Sequence, residues 1–177
     1  METRGGYDAQ STADRDAGTL AAAGSRDRGQ PGAVHREHYA VLHPVPTRWL
    51  DNDDYGHVNN VVYSSYLDTA VNAQLMQRTG TDIRRLPAIG LVAETTCRFH
   101  APVGFPDQLE VGLAIERLGR SSITYRLAVF RVGDLQAAAT ARYVHVYVER
   151  DTRRSTPIPE VIRAAMGPLV RELPPWD

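Results

Sequence analysis

The chemistry-bearing side chains of this chain are concentrated in one run, Arg48-Trp49-Leu50-Asp51-Asn52-Asp53-Asp54-Tyr55-Gly56-His57-Val58-Asn59-Asn60-Val61-Val62-Tyr63. Three aspartates close to a histidine suit either cation binding or acid-base chemistry. A calcium loop fits only at its start. Asp51, Asp53 and Gly56 occupy positions 1, 3 and 6 of the EF-hand pattern, but Tyr55 stands at position 5 and Val62 where the bidentate glutamate belongs. Zinc lacks ligands, because His57 has no second histidine three to five residues on and Cys97 is the single cysteine. The run is therefore read as metal-free.

What remains is carbonyl chemistry. Asp53 lies shortly before Asn59, Asn60, Val61 and Val62, where the residue pattern predicts a helix to begin. The unbonded N–H groups and positive dipole end of that helix point toward the same turn. A carboxylate facing such donors can activate water against a carbonyl or attack it directly, while the N–H groups stabilise the developing oxyanion. The residue pattern leaves both roles open, and leaves His57 as either a partner of the carboxylate or a turn residue. Asp51 and Asp54 read as solvated, Asx-type turn residues. No Gly-x-Ser-x-Gly elbow and no Gly-x-Gly-x-x-Gly or phosphate loop is present, which argues against a serine-triad hydrolase and a nucleotide cofactor. All 20 basic residues are arginine, so lysine Schiff-base chemistry is excluded.

The elements that must position this run follow from periodicity. Tyr63, Tyr66, Leu67, Ala70 and Gln74 recur at helical spacing, with Asn59 or Asn60 as N-cap and Gly80 as stop. The predicted helix covers about 61–79 and is expected to be largely buried. Before it, Tyr39 to Trp49 reads as a bent or edge strand because of Pro44 and Pro46. After it, strands are predicted over Ile89–Val103, Gln108–Leu118, Ser121–Val132 and Leu135–Glu149, with hairpins at Gly119-Arg120 and Gly133-Asp134. Ala137 to Ala141 is a small-residue patch that suits either close approach of another backbone or a ligand, or tight packing on the helix. The order predicts an α+β fold with a long central helix on an antiparallel sheet, β-α-β-β-β-β.

Residues 1–35 carry almost no large apolar side chains and are read as a disordered tail. The domain is read over 36–160 and a C-terminal helical tail over 161–177, its helix opening near Glu160. A net charge of -1 with scattered arginines gives no field for nucleic acid. No segment approaches the ~20 apolar residues that span a bilayer, and no secretory signal is evident, so a cytoplasmic protein without membrane attachment is expected.

The run from Arg48 to Tyr66 resembles the signature of the hotdog-fold acyl thioesterases of the 4-hydroxybenzoyl-CoA thioesterase-like branch, and His57-Val58-Asn59-Asn60 is similar to the plant acyl-ACP thioesterases. The resemblance covers about residues 38–160 and implies an acyl-CoA thioesterase with no cofactor. It implies Asp53 as the catalytic carboxylate and Asn60 at the helix start, where a backbone N–H polarises the thioester carbonyl. The alternating Asp-Asn-His set of the acyl-ACP enzymes would fall on Asp53, Tyr55 and His57, but Tyr55 breaks it and weakens His57. Arg117, Arg120 and Ser121 match a hairpin on which relatives place basic residues against CoA phosphates. Asn59 and Tyr63 complete the expected substrate site, with Tyr66, Leu67 and Ala70 setting pocket depth. The family forms dimers or tetramers with sites at the subunit interface, and its substrates are acyl-CoA or acyl carrier protein thioesters. The same fold also serves as a non-hydrolytic acyl-thioester-binding regulatory module and as a hydratase or dehydratase. Both stand as alternatives.

Overall fold

The computed structural model describes residues 34–176. Most of the expected tail at 1–35 lies outside the described residues. Five strands form one antiparallel sheet: β1 (Val41–Pro46), β2 (Ala88–Phe99), β3 (Gln108–Leu118), β4 (Ser122–Arg131) and β5 (Ala139–Glu149). Their spatial order is β1-β3-β4-β5-β2. One long helix, α1 (Asn60–Thr79), crosses one face, and a short helix, α2 (Glu160–Met166), packs beside it. The topology is the predicted β-α-β-β-β-β. The proline-bearing strand β1 and the long strand β2 take the edges.

The helix begins and ends where its residues dictate. Asn59 is the N-cap, its side-chain oxygen accepting from the Val61 N–H at 3.2 Å, and Gly80 closes the helix in the left-handed region at φ 62°. Only one stripe is buried: Tyr63, Tyr66, Leu67, Ala70, Val71, Gln74 and Leu75. Ser64, Ser65, Asp68 and Thr69 are exposed, which corrects the expectation of a largely buried helix. Their polarity shows the reason. A 3.6-residue period puts these four on the side away from the sheet, where small hydroxyls and a carboxylate remain hydrated.

The core lies between α1 and the alternating inward residues Leu109, Val111, Leu113 and Ile115 of β3, Ile123, Tyr125, Leu127 and Val129 of β4, and Ala139, Ala141, Tyr143 and Tyr147 of β5. A smaller cluster of Tyr39, Ala114, Ala128 and Phe130 covers part of the opposite face. Both predicted hairpins form, at Gly119–Arg120 and around Gly133, which sits at φ 94°. The alanine patch does admit a backbone: Ala138 C=O accepts the N–H groups of both His100 and Ala101. Strand β5 starts at Ala139 rather than Leu135, because the chain is still closing that turn. Strand β2 ends at Phe99 for a similar reason, since Pro102 cannot extend the ladder.

Candidate active site

The acidic run folds as a compact loop pinned at both ends. Asp51 is 1% exposed, against the expectation of a solvated turn residue. Its Oδ2 accepts the Arg48 N–H at 2.7 Å and the Tyr66 hydroxyl at 2.6 Å. Its Oδ1 accepts Arg48 Nε at 3.0 Å and a terminal guanidinium nitrogen at 2.7 Å. Burial alone would raise its pKa, but the Arg48 and Tyr66 hydrogen bonds outweigh that and hold it below the usual carboxylate value. Tyr66 answers in kind, its phenol pushed well up by burial and by donating to Asp51. Tyr66 therefore anchors the loop to α1 through its hydroxyl. The Asp51 carbonyl also accepts the Asn59 N–H at 2.8 Å, which ties this anchor to the helix cap.

Asp53 sits inside the loop so fixed. Its N–H donates to the His57 carbonyl at 2.8 Å, its own carbonyl accepts the Gly56 N–H at 3.0 Å, and its Oδ1 accepts the Tyr55 N–H at 2.9 Å. Oδ2 has no hydrogen-bond partner among the described residues. Gly56 turns at φ 82°, a conformation that suits glycine. The loop is braced from the β2–β3 connection. Val58 N–H donates to the Val103 carbonyl at 2.8 Å, Phe105 N–H to Asn52 Oδ1 at 3.0 Å, and the Trp49 and Phe105 rings meet edge to face at 5.9 Å. Gly104 approaches so closely that a Cβ there would lie 2.9 Å from the Gly56 carbonyl oxygen.

A cleft of about 390 Å³ opens at this point, lined by Asp53, His57, Asn60 and Tyr63 from the loop and helix and by Phe99, His100 and Pro102 from the end of β2. Asn60 opens α1 and so contributes one of the helix's first N–H groups, which have no intrahelical acceptor. Tyr63 is buried against Phe99 at 5.0 Å between ring centres, and burial raises its pKa. His57 is exposed, with its carbonyl rather than its ring holding the loop. His100 is anchored through Nε2 to Thr140 Oγ1 at 2.8 Å, its pKa lowered by burial and then by Arg98.

Four predicted residues, Asp53, His57, Asn60 and Tyr63, thus share one cleft, with Asn59 capping the helix behind it. Arg117, Arg120 and Ser121 do not join them within one chain. They lie at the opposite end of β3, whose 11 residues span about 33 Å at 3.3 Å per residue. Their hairpin is held by α2 and the segment before it: Arg163 donates to the Gly119 carbonyl at 2.6 Å, and the Ile158 N–H to the Arg120 carbonyl at 2.9 Å. Phe99, His100 and Pro102 went unread in the sequence because they reach the cleft only by strand pairing across the sheet. The one local signal was the alanine patch, which admits the backbone of that segment.

A helix laid along a five-stranded antiparallel sheet, with an acidic loop meeting its N-terminus, defines a hotdog-fold thioesterase-like protein. Residues 47–166 match the family model of the thioesterase-like superfamily, and the chain belongs to that family. Among solved structures, the PA5185 protein of Pseudomonas aeruginosa PAO1 is 47% identical, with 80% of this chain and 99% of that one covered and a TM-score of 0.77. A thioesterase from Thermus thermophilus crystallised with coenzyme A and Zn is 32% identical over 75% of this chain and 96% of its own, with a TM-score of 0.64. A 1,4-dihydroxy-2-naphthoyl-CoA thioesterase from Synechocystis shares the fold at 17% identity, covering 71% and 94% of the two chains with a TM-score of 0.66. A search of curated proteins gives no match. No helix among the described residues is long and apolar enough to cross a membrane.

Proposed function

We propose that this protein hydrolyses acyl-CoA thioesters at the Asp53 cleft. The observation that carries this reading is the convergence of a carboxylate with one unengaged oxygen and the open N-terminus of a 20-residue helix on one cleft. The thioester carbonyl would lie against the Asn60 N–H, whose partial positive charge stabilises the oxyanion. Asp53 Oδ2 takes a proton from water as the water oxygen bonds to the carbonyl carbon. The carbon–sulfur bond then breaks and the thiolate leaves as CoA. Direct attack by Asp53 would form an acyl–aspartyl anhydride with release of the CoA thiolate, and unlabelled acid from a single turnover in ¹⁸O-labelled water marks that path, water then opening the anhydride at the Asp53 carbon.

The CoA half of the substrate is supported by the relative crystallised with coenzyme A. It is supported too by the place of Arg117 and Arg120. Strand β2 is a 12-residue edge with Leu91, Val92 and Phe99 exposed, a surface that invites strand pairing. Antiparallel pairing of β2 with its own copy reverses the second sheet, bringing a partner's far hairpin toward this chain's cleft. A homodimer would then supply the phosphate-binding arginines in trans.

Purified protein assayed with a panel of acyl-CoA substrates and a thiol reagent should release CoA, and an Asp53→Ala protein should lose that activity. Equal turnover by Asp53→Ala would sink the mechanism. Saturable acyl-CoA binding without turnover would instead favour a binding module.

A further inference from the structure

Leu173-Pro174-Pro175-Trp176 belongs to no helix or strand, yet it is tied at several points to the outer face of the sheet, away from α1. The segment reaches that face from β3, where Val170 forms a parallel bridge with Ile115 and the Arg171 N–H donates to the Ile115 carbonyl at 3.0 Å. Leu173 then packs on the cluster of Tyr39, Ala114, Ala128 and Phe130. The Pro174 carbonyl accepts a guanidinium N–H of Arg126 in β4 at 3.2 Å. The Trp176 ring takes up two guanidinium groups, that of Arg126 at 4.8 Å and that of Arg98 in β2 at 4.6 Å. In the strand order β1-β3-β4-β5-β2 this is a strap from β3 across to the β2 edge.

The strap is built to hold. Two adjacent prolines fix φ at about −65° and so lower the entropy lost in setting Trp176. Arg126 is 4% exposed, and its buried charge is met by the Pro174 carbonyl, the Trp176 ring and Glu116 Oε2 at 3.6 Å.

Arg98 links the strap to the Asp53 cleft. Its neighbour Phe99 lines that cleft and packs on Tyr63, and His100 and Pro102 line it as well. This wall is the end of an edge strand, paired with β5 on one side only. Its last register pair is Phe99 with Ala139, after which the N–H groups of His100 and Ala101 share the one Ala138 carbonyl, at 2.8 and 3.0 Å. Side chains alternate along a strand, so Phe99 faces Tyr63 while Arg98 stands on the outer face against Trp176. We propose that Trp176 is a positioning residue for the Asp53 cleft, resting on the reading of that cleft as the hydrolytic site: the strap, anchored on β3 and β4, holds Arg98 by its ring and so fixes the Phe99–Pro102 wall. Asp53 and Asn60 stand on the loop and helix instead. Loosening the clamp therefore weakens the hold on substrate and leaves the reacting groups in place.

Amide hydrogen exchange of the full-length protein tests the clamp without substrate, in wild type, Trp176→Leu, Trp176→Phe and Arg98→Met. In Trp176→Leu and in Arg98→Met the His100 and Ala101 amides should exchange roughly fivefold faster, the worth of one cation–π contact. Those of Leu127 and Val129 in the core should keep wild-type rates. Trp176→Phe should restore most of the protection, and Arg98→Met combined with Trp176→Leu should be no faster than either alone. In steady-state kinetics Trp176→Leu should raise KM for acyl-CoA about fivefold with kcat near wild type. The proposal is overturned if His100 and Ala101 keep wild-type rates in Trp176→Leu, if core and wall accelerate alike as in general destabilisation, if the two substitutions add, or if kcat falls while KM stays. A wild type that turns over no acyl-CoA would refute the hydrolytic reading instead, and the exchange rates would still decide the clamp.

Discussion

Replacing Tyr66 by phenylalanine isolates the buried anchor of the Asp53 loop. The change removes one hydroxyl from a side chain that is 4% exposed and leaves the ring in place, so no cavity of consequence forms. It deletes the 2.6 Å bond to Asp51 Oδ2, while the three bonds from Arg48 remain. A hydrogen bond to a charged group contributes about 1.5–3 kcal/mol, so Tyr66→Phe should destabilise by about 2 kcal/mol at pH 7. In a chain of this size that lowers Tm by about 4–8 °C. The sign of the pH dependence follows from Asp51. Its folded pKa lies below the unfolded value near 3.9. The stability it contributes is therefore fully present above that value and is lost as pH falls through the folded pKa. The difference between wild type and variant should accordingly shrink below about pH 4. Urea denaturation of both proteins at pH 7 and at pH 3 measures it. A variant within a few tenths of a kcal/mol of wild type at pH 7, or a gap that widens on acidification, would refute the reasoning. Hydrolysis per folded molecule should change less than the 10²–10⁴-fold expected of a lost general base, since Tyr66 holds the loop through Asp51 and is not among the residues lining the Asp53 cleft.

Other consequences can be checked alongside. Asn59→Ala should cost about 1 kcal/mol through loss of the Val61 cap, read by the same denaturation, with the helix start frayed in hydrogen exchange. Gly104→Ala should impair CoA release more than it lowers Tm, because the new methyl meets the Gly56 carbonyl at 2.9 Å and must push the Asp53 loop aside. For His145, whose folded pKa is depressed by burial, stability is fully present above the ordinary histidine value near 6.5 and is lost as pH falls toward the folded one. His145→Leu should therefore lose less stability than wild type between pH 7 and pH 5, and identical slopes in chemical denaturation would count against a buried neutral ring.

The parts of this protein that were legible in sequence were those written locally. Asn59, Gly80 and the spacing of Tyr63, Tyr66, Leu67 and Ala70 specify α1 to within a residue, and Gly119 and Gly133 mark their hairpins because tight turns impose local backbone requirements. Asp53 and Asn60 lie seven residues apart, so their meeting at a helix start could also be read. Asp51 could not. Its carboxylate is acidic like its neighbours, and only the tertiary meeting with Tyr66, fifteen residues on, makes it a buried anchor. Phe99 and His100 reach the cleft through pairing of β2 with β5, a contact between strands some 40 residues apart, and periodicity carries no such information. The far position of Arg117 and Arg120 has the same origin. Sequence matched the hairpin, while sheet length decided which end of the molecule it occupies.

The most direct test of the Asp53 mechanism is kcat/KM for the best acyl-CoA of the panel, measured for wild type and for Asp53→Asn, which keeps the Tyr55 N–H acceptor and removes the base. A drop of at least 10²-fold, with Tm within a few degrees of wild type, is the expected result for a lost general base. A ratio within tenfold of one, in a protein equally folded, would contradict it and move the chemistry to another group in the cleft.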